Sequence, residues 1–291
     1  MNLPPRFNEY LDLINDYLDR ALPPEDASPE PIHRAMRYSL FAGGKRLRPM
    51  LCLAAAESLG ASANKLLPVA AAIELIHTYS LIHDDLPCMD DDDFRRGKPT
   101  NHKVFGEAIA ILAGDALLTA GMEMLAEAPY DAEIRCRLIA ELTRSAGTRG
   151  MIGGQVLDIL SEAQELTRLE LEKLHGMKTA ALIGFSALAP SVVLQSGLHV
   201  EQIFTQFGET LGLAFQIVDD ILDVEGETEV LGKTAGKDRK SGKAAYPALL
   251  GIEESKALAS DLVRNATLAI SSYDRYSYLT AIATYVLKRA K

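Results

Sequence analysis

Carboxylates are concentrated in one short stretch of the chain, and their chemistry predicts a metal site. Six of the ten residues from Asp84 to Asp93 are aspartates, and an apolar helical pattern leads directly into them. Buried carboxylates are costly unless a cation neutralises them, and a hard divalent cation prefers oxygen ligands. A second set, Asp219, Asp220 and Asp223, ends another apolar helical pattern. We therefore expect two carboxylate walls that face each other across a pocket and hold magnesium together with a diphosphate.

The two sets differ in how their spacing presents the side chains. Asp219 and Asp223 are four positions apart, so one helix face carries both and they can reach a common metal. Asp84 and Asp90 are six positions apart, roughly 600° of helix, and would lie on different faces. Pro87 lies between them and disfavours helix in the residue before it. We therefore infer a turn that brings Asp84 and Asp90 back together.

Cations accompany both acidic sets, which indicates an anion that they share with the metal. A phosphate group bridges magnesium and Lys or Arg naturally. Residues 91–93 are expected to be solvated or to pair with the two arginines that follow them. His77 is the histidine that we expect to contact phosphate. The clustered cations are Lys45, Arg48, Arg95, Arg96, Lys233 and Lys237.

The bulk properties are those of a soluble helical protein. The chain has 291 residues, is 48% hydrophobic and carries a net charge of -10, which argues against nucleic acid as a partner. Its three cysteines form no CxxC pair, so we expect neither disulfides nor a zinc site, and a reducing, cytoplasmic location. The longest apolar stretch, 108–128, contains Asp115 and Glu123, and we expect no membrane span and no stable membrane insertion.

Hydrophobic periodicity predicts helices throughout and no strand of useful length. We therefore predict an all-α fold in a single domain, 1–291. Predicted helices include one with Phe7, Leu11, Ile14, Leu18 and Leu22 on its buried face, Leu66–Asp85, residues 102–128 with a break near Gly114, Leu169–Gly197 and Val200–Val224. Gly153-Gly154-Gln155 is expected to start a further helix that contains Asp158.

Five blocks together resemble the trans-isoprenyl diphosphate synthase family, most closely its bacterial farnesyl diphosphate synthases (geranyltranstransferases). They are Gly44-Lys45-Arg46-Leu47-Arg48-Pro49, His77 with Ser80 to Asp85 and on to Gly97, Gly153-Gly154-Gln155 with Asp158, Lys178-Thr179, and Phe215 to Asp223 with Gly232-Lys233-Thr234. They lie between residues 43 and 243 in the family's order. Any one block alone would be a weak signal, whereas the combination is highly specific.

The resemblance implies an isoprenoid-synthase-type helical bundle around a deep central cavity, a homodimer, and three magnesium ions per site. Carried over by position, it implies magnesium ligands Asp84, Asp90 and Asp219, with Asp85 and Asp223 in support. It implies an allylic diphosphate on Arg95, Lys178 and Lys233, isopentenyl diphosphate on Lys45, Arg48, His77 and Arg96, and a further diphosphate contact from Lys243. Thr179 and Gln216 would stabilise the allylic cation, and the basic tail with Arg289 and Lys291 would close over the site.

The implied reaction is condensation of isopentenyl diphosphate with dimethylallyl or geranyl diphosphate to give farnesyl diphosphate, with release of diphosphate. Tyr79 lies five residues before Asp84, about 7.5 Å along a helix axis. The chain resembles the family's farnesyl-producing members in having an aromatic residue there, which implies that Tyr79 forms the cavity floor and limits the product to fifteen carbons. Its neighbour Ser80 partly opens that floor. Alternatives are a geranylgeranyl or geranyl diphosphate synthase, a class I terpene cyclase, and a non-catalytic helical subunit.

Overall fold

Helices account for nearly all of the regular structure in the part of the chain described by the computed structural model, residues 3–161, 164, 166–225 and 245–289. This confirms the all-α prediction. The helices are α1 Arg6–Ala21, α2 Glu30–Leu40, α3 Leu47–Ser58, a 3-10 turn Ala63–Leu66, α4 Leu67–Asp84, α5 Asn101–Phe105, α6 Glu107–Ala126, α7 Ala132–Ala146, α8 Met151–Leu160, α9 Arg168–His175, a π-helical turn Gly176–Ala180, α10 Ala181–Val193, α11 Leu198–Glu225, α12 Tyr246–Leu250, α13 Ile252–Ile270 and α14 Tyr278–Lys288. Two-residue strands, Phe94–Arg95 and Lys98–Pro99, pair antiparallel.

The core is built around α4 and α10, which are buried on nearly every face. Helix α4 packs against α6, α3 and α1, and α10 packs against α11, α3 and α7. A helix that is apolar all round belongs in the interior. The outer helix α1 is amphipathic and buries Phe7, Tyr10, Ile14 and Leu18, so Tyr10 takes the fully buried place that the periodicity assigned to Leu11.

The break in the apolar stretch after residue 101 lies at Gly106 and not near Gly114, as the sequence suggested. Gly106 has φ +82°, separates α5 from α6 and donates its N–H to the His102 carbonyl; left-handed φ is favourable for glycine. Gly114 lies inside α6, where a Cβ would come within 2.0 Å of the His83 ring. Its role is close packing against α4, which sequence cannot distinguish from helix breaking.

Three helical segments are long and apolar enough to cross a membrane by length and composition, which corrects the expectation of none. They are Ala63–Asp84, Glu107–Ala126 and Arg168–Val193. The first and third are largely buried inside the bundle, so packing accounts for their composition. The second, α6, is only one-third buried and exposes an apolar face that includes Ile111 and Leu112.

A fully buried ion pair fixes the loop before α3. The Arg46 guanidinium lies 2.6 Å from a Glu74 carboxylate oxygen of α4, with both side chains 2% exposed. Arg46 also donates to the Leu40 carbonyl and to Asn15, and its φ is +47°. Because Arg46 lies between Lys45 and Arg48, this anchor determines where those two cations are presented.

Replacing one partner of this pair is expected to destabilise the protein. Glu74→Gln should lower the free energy of unfolding by about 3 kcal/mol, since it leaves the Arg46 charge buried without its counter-ion. Urea unfolding measures this loss. Asp261→Ala, which breaks the exposed Arg264–Asp261 pair, is the control and should cost less than about 1 kcal/mol. Equal losses for both variants would contradict the structural role of the buried pair.

Candidate active site

One cavity of about 910 Å³ collects almost every predicted site residue. Asp84, the last residue of α4, and Asp219, on α11, both line it. Of the predicted residues that the structure describes, the ligand Asp90 and the supporting Asp85 and Asp223 are not on the wall. Lys233, Lys237, Lys243 and Lys291 lie outside the described residues. The wall contains Lys45, Arg48, His77, Tyr79, Ser80, Asp84, Arg95, Arg96, Lys178, Thr179, Gln216 and Asp219.

The first aspartate set forms the predicted turn. Helix α4 ends at Asp84, and the Asp90 backbone N–H donates to the Asp84 carbonyl at 2.8 Å. The Asp92 N–H donates to the Asp85 carbonyl at 3.2 Å, and Asp91 has φ +48°. These bonds fold residues 85–92 back over the helix end. The inference from Pro87 that Asp84 and Asp90 come back together is therefore confirmed.

The later aspartates of this set divide between the two expected environments, pairing with an arginine and exposure to solvent. Asp92 is buried and lies 3.6 Å from Arg95, whereas Asp93 is exposed and pairs with Lys103 at 2.6 Å. Arg95 also contacts Asp85 at 2.6 Å. The turn carries Asp92 inward and Asp93 outward, which residue type alone could not predict.

Burial gives the first set the electrostatics of a cation site. It raises the pKa of Asp84 to about 6, with the Asp90 charge adding to the rise against the opposing effect of Lys178. Burial also raises the pKa of Asp85 to about 6, although Arg95 acts in the opposite direction. A bound divalent cation would offset this cost. The carboxylate oxygens therefore fit a hard cation such as magnesium.

These ligands are not preassembled into a complete metal shell. No group of three or more His, Cys, Asp or Glu side chains with metal-binding geometry occurs within residues 3–161, 164, 166–225 and 245–289. Asp84 and Asp219 come from different helices and meet only at the shared cavity. An ion bound here would need further oxygens, which water and a phosphate group supply.

The second aspartate set points its members in different directions. Asp219 lies on the cavity wall and 2.8 Å from the Arg289 guanidinium, which also stacks over the Phe215 ring at 4.5 Å. Asp220 and Asp223 are buried and do not line the cavity. The sequence placed Asp223 beside Asp219 as a supporting ligand, and the structure brings only Asp219 to the wall.

The upstream cations are held by aromatic groups. Arg48 Nη1 lies 3.2 Å from His77 Nε2. Burial and the charge of Arg48 hold the pKa of His77 well below its usual value, so the neutral ring accepts from Arg48. The Lys45 ammonium lies 5.7 Å from the Tyr285 ring centroid. His77 thus lies beside the cations, as expected, and its observed contact is with Arg48.

Lys178 is held by the Gly-Gly-Gln block. Its ammonium lies 2.5 Å from Asp158 of α8, and it belongs to the π-helical turn 176–180, a distortion frequent at functional sites. Gly153 and Gly154 lie inside α8 rather than at its start. A Cβ on Gly154 would lie 2.2 Å from the Lys178 backbone nitrogen, so the glycine allows α8 to touch the turn.

Another part of the cavity wall is formed mainly by apolar and aromatic side chains. Tyr79 is almost fully buried, burial raises its pKa to about 12, and its ring packs edge-on against His83 at 5.8 Å. Ser80 donates to the His77 carbonyl. Nothing in the sequence indicated the wall contributed by α6 and α8, because apolar helix residues resemble any core. That wall includes Leu118, Met151, Ile152, Val156 and Ile159.

Comparison with known proteins identifies the family. The polyprenyl synthetase family model matches residues 29–276. The chain belongs to this family. It is 50% identical to the farnesyl diphosphate synthase of Bacillus subtilis over 231 residues, which cover 78% of each chain. It is 49% identical to the chloroplastic geranylgeranyl pyrophosphate synthase of Catharanthus roseus, over 97% of this chain and 81% of the relative.

Solved structures agree with this assignment. An FPP/GFPP synthase from Zymomonas mobilis superposes with a TM-score of 0.87 at 35% identity, over 97% of both chains. A geranyltransferase from Helicobacter pylori, complexed with magnesium and isoprenyl diphosphate, has a TM-score of 0.82 at 32% identity, over 99% of this chain and 98% of that one. The isoprenoid-synthase-type fold is confirmed.

The contact between α8 and the π-helical turn predicts the effect of one added methyl group. Gly154→Ala should lower the free energy of unfolding by about 1–3 kcal/mol, because the new Cβ overlaps the Lys178 backbone. Denaturant unfolding measures this change. Gly176→Ala, in the same turn but with no atom within 4 Å of its Cβ, should lose less than about 1 kcal/mol. Equal tolerance of both substitutions would contradict the close contact.

Proposed function

We propose that this polyprenyl synthetase family member condenses isopentenyl diphosphate with dimethylallyl or geranyl diphosphate to give farnesyl diphosphate. The observation that carries the proposal is that Asp84 and Asp219, on different helices, line one cavity together with a cluster of Lys and Arg side chains. Diphosphate is the anion that such a mixture of carboxylates and cations accommodates, through metal ions on one side and Lys or Arg on the other.

Magnesium is the proposed metal, with Asp84, Asp90 and Asp219 as its protein ligands and three ions per loaded site. Two observations support this: the buried carboxylates favour a cation, and a structurally similar geranyltransferase binds magnesium with an isoprenyl diphosphate. When bound, the ions would neutralise the negative charge that develops on the departing diphosphate. Asp90, although off the cavity wall, is tied to Asp84 by the backbone bond described above.

The cations are proposed to divide between two diphosphates. Arg95 and Lys178 lie on the Asp84 side, and we assign them, with Lys233, to the allylic diphosphate. Lys45, Arg48, His77 and Arg96 are assigned to isopentenyl diphosphate, with Lys243 as a further diphosphate contact. The ion pairs Arg95–Asp85 and Lys178–Asp158 support fixed positions for two of these groups.

Ionisation is proposed to break the bond between the allylic carbon and the diphosphate oxygen, and the electron pair leaves with diphosphate. Thr179 and Gln216 stabilise the resulting cation. The double bond of isopentenyl diphosphate attacks this cation and forms the new carbon–carbon bond. The proton lost in the last step goes to the released diphosphate. The apolar wall limits access of water, which would otherwise capture the cation.

The metal assignment predicts a loss of turnover without a loss of fold. Asp84→Asn and Asp219→Asn should each lower the rate of prenyl transfer by at least about a thousandfold, because charge on the leaving diphosphate is no longer neutralised. Circular dichroism should give unchanged helical content. Asp93→Asn is the matched control, because Asp93 belongs to the same run but pairs with Lys103 outside the cavity. Near-normal turnover in Asp219→Asn would contradict the assignment.

Product length is proposed to be fifteen carbons, with Tyr79 as the cavity floor. Its near-complete burial and its place on the cavity wall support both a packing and a limiting role. A geranylgeranyl synthase is the second candidate, because relatives of similar identity carry that name. Incubation with isopentenyl diphosphate and each allylic starter, followed by chromatography, distinguishes the candidates.

Shortening the floor residue should lengthen the product. Tyr79→Ala removes the ring that stops the growing chain, so products longer than fifteen carbons are expected. Tyr79→Phe keeps the ring and should retain the parent product. Chromatography of dephosphorylated products measures the distribution. An unchanged fifteen-carbon profile in Tyr79→Ala would show that Tyr79 does not form the cavity floor.

A homodimer is proposed through the exposed apolar face of α6. Ile111 and Leu112 are 44% and 53% exposed there, and exposed apolar patches of this kind mark interaction surfaces. Light scattering should give twice the chain mass, and Leu112→Glu should shift it toward the monomer. Leu268→Glu, at a similarly exposed leucine of α13, should leave the mass unchanged. A monomeric parent protein would contradict the proposal.

The proposed compartment is the cytoplasm. Cys52, Cys88 and Cys136 are all free, and free thiols persist in a reducing environment.

A further inference from the structure

Asp220 belongs to the second aspartate set but makes contacts unlike those of a cavity ligand. It is 5% exposed and does not line the cavity. One carboxylate oxygen accepts from Gln216 Nε2 at 3.0 Å, and the other accepts from the Tyr246 backbone N–H at 3.0 Å. The same oxygen lies 3.6 Å from His175 Nε2. These contacts join α11 to α12 and α9.

The contact with Gln216 determines which way the Gln216 amide faces. Gln216 lines the cavity, and its Oε1 accepts from the Thr179 hydroxyl at 2.9 Å. A hydroxyl can donate or accept, so Thr179 alone would tolerate either amide orientation. A carboxylate only accepts. Asp220 therefore requires the amide nitrogen on its own side, which leaves the amide oxygen toward Thr179.

The orientation matters for the charge that the cavity is proposed to stabilise. An amide oxygen carries partial negative charge and an amide NH2 partial positive charge. Preorganised dipoles aimed at developing charge stabilise it without reorganisation. With the oxygen turned toward Thr179, which itself lines the cavity, Gln216 favours a cation beside that pair. The reversed amide would oppose it.

We propose that Asp220 is a positioning residue that locks the Gln216 amide with its oxygen toward the reacting cation, and that it is not a magnesium ligand. This inference rests on the prenyl transfer proposed above and on the role given there to Gln216. Asp220 acts through Gln216 and touches neither substrate.

The variant Asp220→Asn tests whether Asp220 fixes the orientation of the Gln216 amide. The oxygen of the introduced asparagine must accept from the Tyr246 N–H, so its NH2 group faces Gln216. The Gln216 amide then reverses and turns its own NH2 group to Thr179 and the cavity. We expect kcat to fall by about tenfold or more. KM for both substrates and the magnesium concentration required for half-activation should change by less than about twofold, since neither group of contacts is altered.

The exchange variant Asp220→Asn with Gln216→Glu separates orientation from simple packing. The total charge is preserved, and every hydrogen bond can form. The introduced asparagine accepts from the Tyr246 N–H and donates its NH2 to the introduced glutamate, which also accepts from the Thr179 hydroxyl. An oxygen again faces Thr179, so kcat should recover to within about twofold of the parent enzyme, clearly above the single variant. A merely structural requirement for a carboxylate at position 220 predicts no recovery.

Glu201→Gln is the matched control. Glu201 is another buried carboxylate of α11, paired with Arg137 at 2.5 Å, and it lies outside the cavity wall. Its kcat should equal that of the parent. Thermal unfolding of every variant accompanies the kinetics, so that loss of fold is distinguished from loss of rate.

Three results would overturn the inference. They are an unchanged kcat in Asp220→Asn, recovery of that variant by raised magnesium, which would make Asp220 a metal ligand, and an exchange variant that folds but is as slow as the single one. If Asp220→Asn fails to fold, the kcat of the exchange variant becomes the test. Failure of the exchange variant to fold also counts against the inference. A parent protein with no prenyl transfer would defeat the proposed function first, and the inference with it.

Discussion

The cost of burying carboxylates is the constraint on which the whole site depends. Asp84 is the last residue of α4, where the helix dipole already places negative charge, and burial raises its pKa to about 6. Such a position is tolerable only when cations lie close by. Cations lie close to both aspartates. Lys178 and Arg95 act on Asp84, and Asp219, which reaches the same cavity from α11, contacts Arg289. An anionic diphosphate with metal ions fits between these charges, whereas a neutral ligand would leave them unbalanced.

The cations are themselves held in place before any substrate arrives. Asp158 holds Lys178, Asp85 and Asp92 hold Arg95, and neutral His77 accepts from Arg48. Groups fixed by a second set of contacts lose little freedom on binding, which is how a preorganised site stabilises developing charge. The same logic extends to the Gln216 amide, where an acceptor-only carboxylate at Asp220 selects one orientation. The long apolar helices hold these side chains in place, and the aspartates Asp84 and Asp219 lie near the C-terminal ends of α4 and α11.

Much of this arrangement follows from sequence, and the exceptions have identifiable causes. Periodicity located the helices, and Pro87 with the Asp84–Asp90 spacing predicted the turn that the backbone bonds confirm. The sequence could not show which of Gly106 and Gly114 interrupts the helix. Gly106 adopts a left-handed φ between two helices, whereas Gly114 allows a close contact with His83 inside one. Burial of Asp92 depends on the three-dimensional course of the turn, and the π-helical turn around Lys178 depends on packing against α8. Contacts between distant segments leave no periodic signal.

The most direct measurement of the central claim is a calorimetric titration of inorganic diphosphate into the protein, with and without magnesium. If the two aspartate sets are joined by shared ions and the diphosphate, binding should require magnesium. Asp84→Asn and Asp219→Asn should each then weaken it by at least about tenfold, since each removes a ligand from the same assembly. Diphosphate binding of equal strength without magnesium, or binding that is insensitive to Asp219→Asn, would contradict the account.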